Sequence, residues 1–304
     1  MKFIGIDIGA TNLRTAVVDQ RGRLSEGEYQ KSSAKRMLDQ IFEMVDGYSR
    51  LGGIGIGSIG PLDSNAGVIT TAINLDLGRL EIVRHLEKRY GVPCKLLNDC
   101  VAGVYGEKKF GAGKKVRNLV YLTLSTGIGC GVIADGNLVF GKDGNAHEIG
   151  HCSVDTELVL RCGCGSMGRH WEAYCGGINI PKFARRLIKE YKESGESLDR
   201  IEEIGARHLF ENAGSDPLAK RIVNEIGRIN ASGIGAIINA YDPELITIGG
   251  SIALKNRELV LGPIKKYVGS YVVNAMPKIA ITPLGEDVVL IGAAAYITDM
   301  VRRG

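Results

Sequence analysis

The sequence has 304 residues, of which 44% are hydrophobic and 24% are charged, and its formal net charge is +4. This composition is typical of a soluble globular protein, and the length allows one large domain or two ordinary ones. No apolar run approaches the roughly 18 residues of a membrane span, and Lys and Arg are scattered, so neither a membrane nor a nucleic acid is an expected partner. The odd number of cysteines, seven, favours free thiols or a metal site in a reducing cytoplasm.

Two predicted strand–turn–strand segments share one spacing. The first is FIGIDIGATNLRTAVVDQRGRL and the second is LVYLTLSTGIGCGVIADGNLVF. When Asp7 is placed over Thr123, Asp19 falls over Asp135, and the tight turns of both segments are in register. We interpret this match as an internal duplication, which predicts two similar lobes. The predicted lobes are residues 1–113 with a C-terminal helix at about 288–304, and residues 114–287.

Both turns lack bulky side chains, and their backbone N–H groups can therefore face an anion. The hydroxyls of Thr11, Ser125 and Thr126 supply further donors. Two such turns, one in each lobe, predict a polyphosphate held in a cleft between the lobes. Asp7, at the end of the first strand, is placed to hold Mg²⁺ through water. Taken singly, either segment is better explained as a glycine-rich hairpin without a ligand.

The rest of the chain alternates between predicted helices and strands, which indicates the α/β class. Helical spacing is found in RMLDQIFEMV and in LEIVRHLEKRYGVP, whereas GGIGIGSIGP and CKLLND are predicted strands. In the C-terminal half, PELITIGGSI is a predicted strand that ends in two glycines. Further helices are predicted at about 181–193, 217–240 and 288–301.

The segment HEIGH, from His147 to His151, matches the H-E-x-x-H pattern of zinc metalloproteases. That pattern requires a helix of several turns, because its two histidines bind zinc when residues i and i+4 sit one above the other on a helix. The preceding segment FGKDGNA consists largely of turn formers, and Gly150 costs a helix about 1 kcal/mol relative to Ala. We therefore reject a metalloprotease and expect another site that needs Glu148 and His151 close together.

Seven motifs in their order along the chain resemble the ROK family of repressors and sugar kinases, within the actin-like ATPase superfamily. They are DIGATNLR, GIGSIGPLD, LLNDCVAG, LSTGIGCG, GNAHEIGH, CGCGSMGRHWEAYCGG and ITIGGSI. The variants AHEIGH and HWEAYC are most similar to the archaeal branch of the sugar kinases. The resemblance implies two actin-like (ribonuclease H-like) lobes around a cleft, and phosphoryl transfer from ATP, with Mg²⁺, to a hexose.

The resemblance also implies roles for single residues. Asp99 in LLND would be the base that accepts the proton of the sugar 6-hydroxyl, which a carboxylate at the end of a strand can do. Without the resemblance, this Asn-Asp pair is better explained as a helix cap or a turn. The implied sugar ligands are Asn74, Asn98, Glu148, His151 and Glu172.

The same comparison implies a nucleotide site. Gly249 and Gly250 would let the backbone approach the adenosine, while Arg14 is equally well explained as a surface charge. The residues expected around the phosphates and Mg²⁺ are Asp7, Gly9, Thr11, Asn12, Arg14, Ser125, Thr126, Gly127 and Gly129.

The zinc pattern of the family, one histidine and three cysteines, is incomplete here. His151, Cys162 and Cys164 match it, but strict spacing places the third cysteine at Arg169, which cannot bind a metal. Counting backward from Glu172 puts His170 in the missing position, and two His with two Cys form a suitable tetrahedral zinc set. Such a zinc would be structural and would orient His151 toward the sugar. A degenerate loop without metal is the alternative.

We therefore expect an ATP-dependent glucokinase, with an N-acetylmannosamine or N-acetylglucosamine kinase as the near alternative. A ROK repressor would need a DNA-binding segment ahead of the sugar domain, yet the first strand begins at residue 3. A polymerising actin-like ATPase would have no reason to keep Glu148, His151 and Glu172 together. The resemblance further implies a homodimer or homotetramer, and the cysteine content indicates a location in the cytoplasm.

Overall fold

The structure is a computed structural model that describes residues 1–71, 76–146, 148–193 and 205–303. Its strands are β1 Lys2–Ile8, β2 Asn12–Val18, β3 Leu24–Lys31, β4 Leu51–Ser58, β5 Leu62–Asp63, β6 Val68–Ile69, β7 Cys94–Asn98, β8 Leu119–Leu124, β9 Ile128–Ala134, β10 Asn137–Leu138, β11 Leu245–Gly249 and β12 Lys278–Ile281. Its α-helices are α1 Met37–Val45, α2 Ile82–Tyr90, α3 Asp99–Lys109, α4 Glu172–Cys175, α5 Ile180–Glu193, α6 Ala206–Asn212, α7 Pro217–Tyr241, α8 Ser251–Lys255, α9 Arg257–Tyr267 and α10 Val288–Arg303.

Two five-stranded sheets have the same strand order. The first runs β3-β2-β1-β4-β7 and the second runs β10-β9-β8-β11-β12. In the first sheet β1 pairs antiparallel with β2 and parallel with β4, so that a hairpin is extended by strands that return through helices. The predicted α/β class, with two similar sheets, is confirmed.

The chain divides into two compact units. The first comprises residues 1–121, 130–147 and 282–304, and the second comprises residues 122–129 and 148–281. The lobe boundaries expected from the sequence, after residue 113 and before residue 288, stay a prediction. None of the helices in the described part of the chain combines the length and the apolarity that crossing a bilayer requires.

The core of the first unit follows from the alternation of side chains along β1 and β4. Ile4, Ile6, Ile54 and Ile56 point to one face, where they are fully buried with residues of α1 and α2. Glycines of these two strands lie on the opposite face, and α10 packs directly against them. They are Gly5, Gly53, Gly55 and Gly57. The small residues of α10 thus allow backbone to approach backbone, and the C-terminal helix completes the N-terminal sheet.

Gly55 lies at the closest point of this contact. A Cβ atom added to Gly55 would be 1.9 Å from the carbonyl oxygen of Ala293, so the helix would have to move away from the sheet. We expect Gly55→Ala to lower the free energy of unfolding by about 1–3 kcal/mol, measured by urea denaturation. Gly78→Ala is the control, because among the described residues no atom beyond its chain neighbours lies within 4 Å of its added Cβ. Equal losses in the two variants would contradict the explanation.

A buried carboxyl group joins α3 to the segment that leads into α10. Glu107 is fully buried; it accepts a hydrogen bond from the Thr282 hydroxyl and one of 2.9 Å from the Ala112 backbone N–H. Burial raises the pKa of Glu107 above its ordinary value of 4.5, and these two hydrogen bonds oppose the shift. The folded state therefore favours the protonated carboxyl group.

This shift has a definite sign for the pH dependence of stability. The favourable contribution of protonated Glu107 is complete below about pH 4.5 and is lost as the pH rises through the raised pKa. In Glu107→Gln the amide oxygen can accept from the Ala112 N–H group while the amide NH2 donates to the Thr282 hydroxyl. We therefore expect this variant to gain stability relative to the wild type between pH 5 and pH 8. Urea denaturation across that range measures the difference. Glu43→Gln, at an exposed position of α1, is the control and should track the wild type.

The second unit is built around α7, which has 25 residues. Asp216 caps its first turn by accepting hydrogen bonds from the backbone N–H groups of Leu218 and Ala219, and Pro217 occupies the first helical position, where its missing N–H costs nothing. Trp171 is fully buried, and its indole N–H donates a 2.8 Å hydrogen bond to the side chain of Asn230 on α7. This anchor fixes the chain on both sides of Trp171, at His170 and Glu172.

Candidate functional site

In the first unit, the turn between β1 and β2 is closed by a backbone hydrogen bond of 2.9 Å from Gly9 to Asn12. The Asn12 side chain accepts a 2.6 Å hydrogen bond from the Tyr29 hydroxyl, and Thr11, at the tip, is exposed. In the pairing of β1 with β2, Asp7 lies directly opposite Arg14, next to the pair Ile8–Leu13 that borders the turn. Burial raises the pKa of Asp7, and the neighbouring Arg14 guanidinium acts against that shift.

Asn98 and Asp99 lie at the junction of β7 and α3, also in the first unit. Asn98 is buried and caps α3, since its side chain accepts a 2.8 Å hydrogen bond from the backbone N–H of Cys100. The Asp99 carboxylate accepts from the same N–H group at 2.8 Å and is partly exposed. The helix-cap interpretation of Asn98 is therefore correct, and it leaves the partly exposed carboxylate of Asp99 at the start of a helix, where the helix dipole favours a negative charge.

In the second unit, the turn between β8 and β9 lies beside the end of β11. The Ser125 backbone N–H bonds to the Gly127 carbonyl oxygen at 3.1 Å, and the hydroxyls of Ser125 and Ser251 are 3.1 Å apart. Gly250 has φ +85°, and a Cβ atom there would lie 2.4 Å from the Leu124 carbonyl oxygen. Only glycine meets both conditions without strain, so Gly250 is required for this junction.

The remaining predicted nucleotide residues follow from these elements. Gly249 ends β11, Gly129 lies in β9, and the carbonyl oxygen of Thr126 accepts a 3.2 Å hydrogen bond from Ile178. The structure thus brings Ser125, Thr126, Gly127 and Gly129 together with Gly249 and Gly250 in one unit.

Glu172 connects this turn to Glu148 and His151. One carboxylate oxygen of Glu172 accepts a 2.8 Å hydrogen bond from the backbone N–H of Ile128. The charges of His151 and Glu172 both act on the pKa of Glu148. The imidazole Nε2 of His151 lies 3.6 Å from a carboxylate oxygen of Glu148. Burial raises the pKa of Glu148; His151 opposes the shift and Glu172 adds to it.

Four potential metal ligands lie beside these residues. The ligand atoms of His151, Cys162, Cys164 and His170 are all within 4.8 Å of one another. The Nδ1 atom of His151 lies 3.7 Å from the Cys162 sulphur, and that of His170 lies 3.3 Å from the Cys164 sulphur. His151 therefore turns one ring nitrogen to the cluster and the other to Glu148. Two thiols and two imidazoles at these separations fit a tetrahedral zinc ion.

Two sequence predictions concern residues that the structure does not describe. Asn74, a predicted sugar ligand, lies outside the described residues, as does His147 of the protease-like pattern. The neighbouring Ile149–His151 form a single turn of 3₁₀-helix. The long α-helix that a metalloprotease site requires does not extend through this described segment, in agreement with the rejection of that site.

Sequence reasoning missed three contacts of the predicted site. Asp287 forms an ion pair with Arg14, the Ser251 hydroxyl lies beside that of Ser125, and the backbone N–H of Ile128 holds Glu172. The Asp7–Arg14 pair could have been found, because a hairpin with a tight turn places these residues opposite each other. Nothing in the sequence indicates the partners that lie far along the chain.

The ROK family profile matches residues 3–300. The chain belongs to the ROK family. A glucokinase of Pyrobaculum calidifontis is 38% identical to it over 97% of this chain and 94% of that protein. A ROK glucokinase from Streptomyces griseus, solved with glucose and AMPPNP, has a TM-score of 0.83 and 30% identity, with both chains fully covered. A ROK hexokinase from Thermus thermophilus has a TM-score of 0.81 and 29% identity, again over the whole of both chains.

Proposed function

We propose that this ROK protein is a glucokinase, which transfers the γ-phosphoryl group of ATP to the 6-hydroxyl of glucose. The observation that carries the proposal is the full-length similarity to glucokinases. Glu148, His151 and Glu172 supply carboxylate and imidazole groups to a fixed set of sugar hydroxyls, which is how a polar site distinguishes one hexose from another.

The remaining residues have roles in phosphoryl transfer. Asp99 accepts the proton of the attacking hydroxyl, and Asn98 keeps its amide N–H groups for the sugar while its oxygen caps α3. Asn74 is a further proposed sugar ligand. The turns that contain Thr11 and Asn12, and Ser125 to Gly129, bind the phosphates through backbone N–H and hydroxyl groups. Gly249 and Gly250 admit the adenosine.

Mg²⁺ bound to ATP supplies charge neutralisation at the phosphates, and Asp7 is the residue that would hold it through water. Zinc, when bound to His151, Cys162, Cys164 and His170, would be structural. It would fix the ring of His151 so that Nε2 stays directed toward Glu148 and the sugar. This set replaces the third cysteine of the family pattern by His170. We further propose a homo-oligomer in the cytoplasm.

An N-acetylmannosamine or N-acetylglucosamine kinase is the alternative within the same chemistry. An assay of ADP release with ATP and Mg²⁺ separates the two across glucose, mannose, N-acetylmannosamine, N-acetylglucosamine and no sugar, with Asp99→Ala as the blank. Stimulation by glucose that is lost in the variant is expected. Stimulation by an N-acetylated sugar alone would overturn the substrate, and no stimulation by any sugar would overturn the kinase in favour of an actin-like ATPase.

A further inference from the structure

The guanidinium group of Arg14 is almost fully occupied by other residues of the first unit. Its Nε and Nη2 atoms donate hydrogen bonds of 3.2 and 2.7 Å to the same carboxylate oxygen of Asp7, Oδ2. Nη2 also donates to the backbone carbonyl oxygen of Glu286, and Nη1 donates a 3.1 Å hydrogen bond to Asp287. Four of the five guanidinium N–H groups are therefore used. A side chain bound in this way is poorly placed to bind a phosphate itself.

The arrangement leaves Asp7 with one free oxygen. Both hydrogen bonds from Arg14 reach Oδ2, and Oδ1 accepts no hydrogen bond within the described residues. The side chains of Asp7 and Arg14 are only 15% and 19% exposed, so the pair is held in a largely dry environment where a charge-assisted double hydrogen bond is strong. Oδ1 of Asp7 therefore keeps a fixed direction beside the turn between β1 and β2.

The same guanidinium also ties two distant parts of the first unit together. Glu286 and Asp287 belong to the short 3₁₀-helix Gly285–Asp287 that leads directly into α10. The helix α10 in turn lies against β1, since a Cβ atom added to Gly5 would be 2.2 Å from the carbonyl oxygen of Leu290 in α10. The Asp7–Arg14–Asp287 bridge thus joins the hairpin of β1 and β2 to the start of a helix whose backbone packs directly on the sheet.

We infer that Arg14 is a positioning residue, which acts on the nucleotide through Asp7 rather than by touching a phosphate. It directs Oδ1 of Asp7 toward the hydrated Mg²⁺ of the nucleotide, and Asp287 holds Arg14 in place. This inference rests on the proposed function, because it requires a magnesium nucleotide at this turn. It differs from the expectation that Arg14 binds the phosphates and from the expectation that it is a surface charge.

Calorimetric titration with ADP, once with Mg²⁺ and once with EDTA, tests the inference on the full chain without any sugar. We expect Arg14→Ala to weaken binding of ADP with Mg²⁺ by about 10- to 100-fold, the range for residues that orient a metal ligand, and to leave binding in EDTA unchanged. Arg14→Lys should fail to restore the affinity, because a single ammonium group cannot reproduce the double hydrogen bond. Asp287→Asn should lower the affinity for ADP by a smaller factor, and only in the titration with Mg²⁺.

A double-mutant cycle with Asp7→Asn distinguishes indirect from direct action. If Arg14 acts through Asp7, the two losses should not add. Arg23→Ala is the matched control, since Arg23 forms an exposed ion pair of 2.8 Å with Asp19 in the turn between β2 and β3. Thermal unfolding of every variant identifies any that fold poorly, and Arg14→Lys and Asp287→Asn then carry the test.

Three outcomes would overturn the inference. Equal losses with Mg²⁺ and with EDTA, or rescue by Arg14→Lys, would make Arg14 a direct phosphate ligand. A wild-type affinity for ADP that does not depend on Mg²⁺ would leave Arg14 nothing to position. The glucose-stimulated assay is separate from these titrations, so failure of the inference and failure of the proposed function give different results.

Discussion

Asp99→Asn is expected to lower kcat for glucose phosphorylation by about 10²- to 10⁴-fold, the usual contribution of a positioned general base. The amide has the size of the carboxylate and keeps an oxygen for the 2.8 Å hydrogen bond from Cys100, but it cannot accept a proton. Glucose binding should therefore remain. The fluorescence of Trp171 reports on it, because this side chain is the only tryptophan and directly precedes Glu172.

Asp39→Asn is the matched control for this prediction, since Asp39 also lies in the first turn of a helix, α1, at an exposed position. Its activity should equal that of the wild type. A loss of less than about tenfold in Asp99→Asn would assign the base to another group. A parallel loss of glucose binding would instead mean that the substitution disturbs the cap of α3.

The second large effect is expected for the metal cluster. Protein grown with zinc should contain about one zinc ion per chain, and Cys164→Ala or His170→Ala should lower the zinc affinity by more than about tenfold. Elemental analysis after dialysis measures the content. Chelation should lower the thermal unfolding midpoint of the wild type, because the metal stabilises only the folded loop.

Two controls accompany this measurement. Cys152 is an exposed thiol close to the cluster along the chain, and His208 is an exposed histidine on α6; neither belongs to the cluster. Cys152→Ala and His208→Ala should keep the zinc. Zinc-free protein after growth with zinc, with an unfolding midpoint that does not respond to chelation, would support the degenerate loop without metal.

The long helices could be predicted from the sequence because each has an apolar stripe and clear ends. The predicted ranges of about 181–193, 217–240 and 288–301 compare with Ile180–Glu193, Pro217–Tyr241 and Val288–Arg303. The strand β3, Leu24–Lys31, was missed, and its composition explains the failure. It is the edge strand of its sheet, and most of its residues are exposed, so its polar sequence lacks the alternation that identifies a half-buried strand.

The candidate site was predictable only in part, for a related reason. Local spacing placed His170 beside the cysteines, and the structure brings all four ligand atoms together. By contrast, Arg14 and Asp287 are 273 residues apart, and only the path of the whole chain decides that they meet. The interpretations of Arg14 as a phosphate ligand or a surface charge both omitted this contact. The direction in which a side chain points is set by such distant partners.

The first unit is assembled from separate segments of the chain, and this affects the order in which the protein folds. Its sheet is closed on one face by α10, which begins at Val288, whereas residues 148–281 of the second unit are continuous in the chain. Because synthesis proceeds from the N-terminus, β1 and β4 are made long before α10. Until α10 is made, the glycine-lined face of these strands stays uncovered. The second unit can reach its native contacts earlier. During translation the N-terminal half is therefore the part most exposed to chaperones and to aggregation.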